Sequence, residues 1–96
     1  MRKSNENSLQ EVIEQLLDQY RLRDKLNEVR IRKAWEETMG NAICNRTTDI
    51  RVKSETLFIS VSSAPLREEL QFQRSKILDL MNKELGGIYL KQVVIQ

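Results

Sequence analysis

The chain has 96 residues, 40% hydrophobic and 31% charged, with sixteen basic residues against fourteen acidic ones and a net charge of +2. That length fits one domain with a single modest core, and the near balance of charge excludes a surface that is basic throughout. One cysteine, Cys44, and no histidine exclude an intrachain disulfide, a Cys/His zinc site and any histidine-activated nucleophile.

Residues 1 to 7 are polar and predict a frayed N-terminal tail ahead of a single domain over residues 8–96. No apolar stretch follows that could serve as a signal peptide or span a membrane, so the expectation is a cytoplasmic protein with no membrane contact. Ser8-Leu9-Gln10-Glu11 reads as a capping box. Leu9, Val12, Ile13, Leu16, Leu17 and Tyr20 then draw one stripe down a first helix. Arg21-Leu22-Arg23-Asp24 predicts a break. A second helix runs from Asp24 or Lys25 to Met39, with Gly40 at its C′ position. Its apolar residues, among them Leu26, Val29, Ile31 and Trp35, spread round more than half the circumference, which predicts two neighbours. Asn41 to Arg46 predicts a short extra turn of helix with Ile43 inward.

The period then changes to two. Thr48, Ile50 and Val52 alternate with Asp49, Arg51 and Lys53; Leu57, Ile59 and Val61 alternate with Phe58, Ser60 and Ser62. Two strands with one buried face each are predicted, joined through Ser54-Glu55-Thr56 as a hairpin. Ser62-Ser63-Ala64-Pro65 starts a long amphipathic helix, Pro65 to Leu85, which Gly86-Gly87 ends. Val93 and Ile95 mark a last strand. The predicted fold is α+β, in the order α-α-β-β-α-β, with helices on one face of a three-stranded sheet. The expected strand order is 1-2-3, with 2-1-3 as the alternative, and the last strand parallel to the second. The predicted core is Leu9, Val12, Ile13, Leu16, Leu17, Trp35, Ile50, Val52, Leu57, Ile59, Val61, Leu66, Leu70, Ile77, Met81 and Ile95.

The segments Trp35-Glu36-Glu37-Thr38-Met39-Gly40, Leu57-Phe58-Ile59-Ser60-Val61 and Ser62-Ser63-Ala64-Pro65-Leu66-Arg67-Glu68-Glu69-Leu70, with Thr47 and Gly86, together resemble the DciA-like family of bacterial proteins associated with the replicative helicase. The resemblance covers residues 8 to 96 and rests on the combination, since no single segment is diagnostic. It implies a K-homology-like fold, similar to the N-terminal domain of the replication initiator DnaA. It also implies an adaptor that binds the replicative helicase and helps it onto single-stranded DNA. Many relatives extend into a basic tail whereas this sequence stops at Gln96, so the expected affinity for DNA is weak. The only glycines are Gly40, Gly86 and Gly87, so the G-x-x-G clamp by which K-homology domains grip nucleotides is missing.

Two features are candidates for binding. Residues 21 to 33 hold Arg21, Arg23, Lys25, Arg30, Arg32 and Lys33 against Asp24 and Glu28. A phosphate backbone would be attracted there. Read as surface, Glu28, Arg32 and Glu36 are spaced four apart, as are Lys33 and Glu37, which is ordinary ion pairing along a solvated helix. On the outward sheet face, Asp49, Arg51 and Lys53 share a side with Phe58, Ser60 and Val94. Phe58 there stacks on a single strand, anchors a protein partner or a dimer contact, or is covered by the chain's own loops. The nucleic-acid candidates are Arg21, Arg23, Arg30, Arg51 and Lys53; the partner-binding candidate is Phe58. Three to five phosphate contacts would give log K against log salt a slope of about −2 to −3.5.

Trp35 reads as core, Cys44 as a half-buried residue without an activating partner, and Ser62 and Ser63 as caps. The expectation is therefore a non-enzymatic protein with no cofactor and no metal. The leading function is a helicase adaptor in DNA replication. The alternatives are a K-homology-like RNA-binding protein and a homo-oligomeric interaction module.

Overall fold

The computed structural model describes residues 2–19 and 22–96, with side chains from Ser8 onward. The elements are α1 (Arg2–Gln19), α2 (Leu22–Met39), α3 (Asn41–Arg46), β1 (Thr47–Lys53), β2 (Thr56–Val61), α4 (Ala64–Phe72), α5 (Arg74–Leu85) and β3 (Gln92–Ile95). The fold is α+β. The sheet runs β1-β2-β3, with β1 and β2 antiparallel and β3 parallel to β2. This is the predicted order. A helical crossover is what a parallel neighbour requires, because a tight turn can only reverse the chain.

Alternation sets the sheet's two faces. Ile50, Val52, Leu57, Ile59, Val61, Val93 and Ile95 are buried, whereas Arg51 and Lys53 are exposed and Phe58, Ser60 and Val94 half-buried. The inner row joins Ile31, Ala34 and Trp35 of α2, Leu70 of α4, Ile77, Met81 and Leu85 of α5, and Leu90 in one core. The register shifts between Thr47 and Asp49. This bulge exposes Thr48, placed on the inner side by simple alternation, and leaves Thr47 to receive the Trp35 indole N–H at 3.0 Å.

Four details depart from the sequence reading. The helix does not start at the Ser8 capping box: α1 begins at Arg2, with no proline or glycine between them to stop it. The long third helix is two. Around Gln73 (φ −100°, ψ 8°) the Gln73 N–H bonds back to the Leu70 carbonyl at 3.0 Å, a tighter turn that redirects the chain. The break lets α4 follow the ends of β2 and β3 while α5 packs on α2 and β3. The hairpin turn uses Ser54 and Glu55, both left-handed at φ 49° and 67°. Residues other than glycine or asparagine are strained there; Lys91 N–H on the Glu55 carbonyl at 2.8 Å helps hold the turn.

The fourth departure is the first helix. Leu9, Val12, Ile13 and Leu16 were expected in the core and are 44–63% exposed; Leu17 and Leu66 are only half-buried. Helical period shows that the apolar side chains share a face, not that anything covers it. The chain measures 59 × 21 × 21 Å with a radius of gyration of 16.0 Å, against about 12.5 Å for a compact domain of this length. The excess is α1, about 27 Å long at 1.5 Å per residue, which extends away from the sheet. Core residues absent from the sequence reading are Ile31, Ala34, Leu85, Leu90 and Val93.

Candidate binding groove on the outer sheet face

β1 is an edge strand, and an edge strand carries unpaired backbone donors and acceptors. A polar column on α2 meets them. Asp24, Glu28 and Arg32 stand four residues apart, hence on one side of the helix. Asp24 Oδ2 accepts from the Ser54 N–H at 3.3 Å, and Glu28 Oε2 accepts from the Val52 N–H at 3.2 Å. Arg32 Nη2 donates to the Ile50 carbonyl at 2.6 Å and lies 3.4 Å from Asp49 Oδ1 and 3.6 Å from Glu28 Oε1. The Glu28–Arg32 pair is therefore more than solvated helix surface: it docks α2 on the sheet. Glu28→Ala is expected to destabilise the domain by about 1–3 kcal/mol, because a half-buried N–H loses its acceptor. Glu28→Gln keeps an acceptor and should lose less. Urea denaturation of the two variants reads the difference.

The seam between this column and the outer sheet face is an open groove of about 710 Å³. The register lays out the sheet face beneath and beside it. Arg51 faces Phe58 across β1 and β2, and Phe58 faces Val94 across β2 and β3, so a cation, an aromatic ring and an aliphatic side chain form one row. Asp49 faces Ser60 in the next row, where the Ser60 hydroxyl donates to Gln96 Oε1 at 3.2 Å. Lys53 faces Thr56 at the hairpin end. The groove's charged groups are the cations Lys25, Arg32, Arg51 and Lys53 and the carboxylates of Asp24, Glu28 and Asp49. Asp49 is the electrostatic hub. Desolvation pushes its carboxyl up, but the Arg51 hydrogen bond at 2.7 Å, the Arg51 charge, the Ile50 backbone and Arg32 outweigh this and hold it below its ordinary value. Arg32 and Arg51 thus spend much of their charge on the protein's own carboxylates. Among the described residues, Lys25 and Lys53 form no ion pair.

The structure brings three of the sequence candidates together here: Arg51, Lys53 and Phe58. Arg23 is elsewhere. It pairs with Glu14 and, at 3.2 Å, with Asp18. Those hydrogen bonds, Glu14's first, raise its pKa and tie it to α1. Arg30 is exposed on α2 and does not line the groove. Arg21 lies outside the described residues. Lys25 and Arg32 line the groove although the sequence reading did not select them; the signal available was their spacing from Asp24 and Glu28 along one helix. Among the described residues, no group of three or more His, Cys, Asp or Glu is placed to hold a metal ion, and no helix is long and apolar enough to cross a membrane. The groove can accept a polar or anionic chain along its length and a flat apolar group over Phe58. Trp35 and Cys44 belong to the interior, with the Cys44 thiol 3.6 Å from the Trp35 carbonyl.

A protein-family model described as "Dna[CI] antecedent, DciA" matches residues 8–95. No curated protein and no solved structure matches the chain.

Proposed function

From the premise that the chain belongs to the DciA family, a family of replication-associated helicase adaptors, we infer that it binds the replicative helicase through the outer sheet groove, without catalysing a reaction. The observation that carries this reading is the row Arg51–Phe58–Val94. It sits on the outer sheet face, half-buried beside α2, with an aromatic anchor at the centre and charged groups at the rim. Protein interfaces are built this way: an aromatic or arginine hot spot surrounded by polar side chains that fix orientation. Isothermal titration against the purified replicative helicase of the native host tests it. The wild type should bind, and Phe58→Ala should weaken binding by about 10-fold or more, the loss expected of a hot-spot aromatic. Circular dichroism checks folding of the variant. No binding by the wild type, or an unchanged affinity for Phe58→Ala, would remove the groove as the contact.

Single-stranded DNA is a second, weaker ligand of the same surface. Among the described residues Lys25 and Lys53 are its cations without an ion pair, Arg51 adds an exposed charge shared with Asp49, and Phe58 offers one stacking platform. Three phosphate contacts give log K against log salt a slope of about −2, from roughly −0.7 per contact. Fluorescence anisotropy over a salt series should show that slope, and Arg51→Glu with Lys53→Glu should abolish binding while the fold persists. A double variant that binds as the wild type does would assign any DNA affinity to another surface.

A further inference from the structure

The sequence predicts two neighbours for α2, and the structure supplies them as β1 and α5. Ile31, Ala34 and Trp35 enter the core. On the other side of the same helix, Leu22, Leu26 and Val29 are 46–65% exposed. The first helix repeats the situation: Leu9, Val12, Ile13 and Leu16 form an apolar column that no described residue covers fully. These are two columns of matching length. Each spans eight residues, about 10 Å of helix rise, with aliphatic side chains at the two ends and the middle. Together the two strips expose on the order of 500 Å² of apolar surface, an amount typical of an interaction site.

We propose that this surface is the interface of a two-fold dimer, in which α1 of each chain lies on the α2 column of a second copy. Two observations select a second copy as the occupant. Each chain carries both halves of the contact in equal length, so a two-fold exchange covers every column and leaves none open; such a contact is self-complementary and closed. The area also suffices: the two exchanges bury on the order of 500 Å² of apolar surface per chain, and a standard interface buries roughly 800 Å² per partner, of which a little over half is apolar. Within one chain the two columns do not meet, since α1 extends along the 59 Å long axis and Arg23 ties its acidic face to the start of α2.

Light scattering coupled to gel filtration, over a concentration series, reads the association. The wild type should be a dimer. Leu16→Glu and Leu26→Glu should each raise the dimer dissociation constant at least ~10-fold, the value of one leucine's burial, with unchanged circular dichroism because both residues are exposed. A monomeric wild type, or variants that dimerise normally, would overturn the proposal. Disulfide trapping distinguishes exchange from folding back. Ile13 and Leu26 stand at the middles of the two columns, so they meet in either helix orientation. Chains carrying Cys44→Ser with Ile13→Cys are mixed with chains carrying Cys44→Ser with Leu26→Cys. A covalent pair containing one chain of each kind supports exchange. A single chain bearing both new cysteines that closes on itself as a monomer refutes it, because α1 then covers its own α2.

Discussion

Trp35→Ala will cost the domain about 3–5 kcal/mol of stability, the range for deleting a buried aromatic side chain. Trp35 is 1% exposed and is one of the largest fully buried side chains. Its ring belongs to the same core as the inner row of the sheet, and its indole N–H donates to Thr47 Oγ1 at 3.0 Å. The Thr47 hydroxyl in turn donates to the Ile43 carbonyl at 2.8 Å. One residue therefore links α2, the end of α3 and the start of β1. A domain of this length has about 5–15 kcal/mol in total, so the variant will be partly or wholly unfolded under mild conditions. Urea denaturation followed by circular dichroism measures the loss; fluorescence cannot, because Trp35 is the only tryptophan. Trp35→Phe keeps much of the apolar volume and loses the indole donor, so it should fall between the wild type and the alanine variant. A loss under about 1 kcal/mol for Trp35→Ala would be too small for a filled core position and would disprove this role.

Ile59→Ala will cost about 2–5 kcal/mol. Ile59 is 0% exposed, on the central strand, with Ile50 opposite it on β1 and Ile95 on β3. Both neighbouring strands are pinned by backbone hydrogen bonds, so little can collapse into the space left by the lost atoms. Ile88→Ala, at a position 86% exposed, removes the same atoms from solvent and should change stability by no more than about 0.5 kcal/mol. The pair of denaturation curves isolates burial from side-chain chemistry. Equal midpoints for the two variants would mean that the faces of β2 are reversed.

What could be read in the sequence was whatever one element decides by itself. Alternation at Ile50, Val52, Leu57, Ile59 and Val61 assigned the inner face, because a strand's side chains must point to opposite sides of the sheet. Gly40 and Gly86 end α2 and α5 with φ of 83° and 81°, values that side chains other than glycine seldom tolerate. Arg51, Lys53 and Phe58 could be placed on a common face for the same local reason. Tertiary structure decided what depends on two elements meeting. An i, i+4 column of Asp24, Glu28 and Arg32 has the same spacing whether it faces water or the edge of β1, and only docking of α2 on that edge gives it backbone partners. The column from Leu9 to Leu16 has the same period whether it is buried or bare, and only the extended placement of α1 leaves it open. The break at Gln73 follows from α4 and α5 covering different neighbours. Period measures the geometry inside one helix or strand; which surface covers it is a property of their packing.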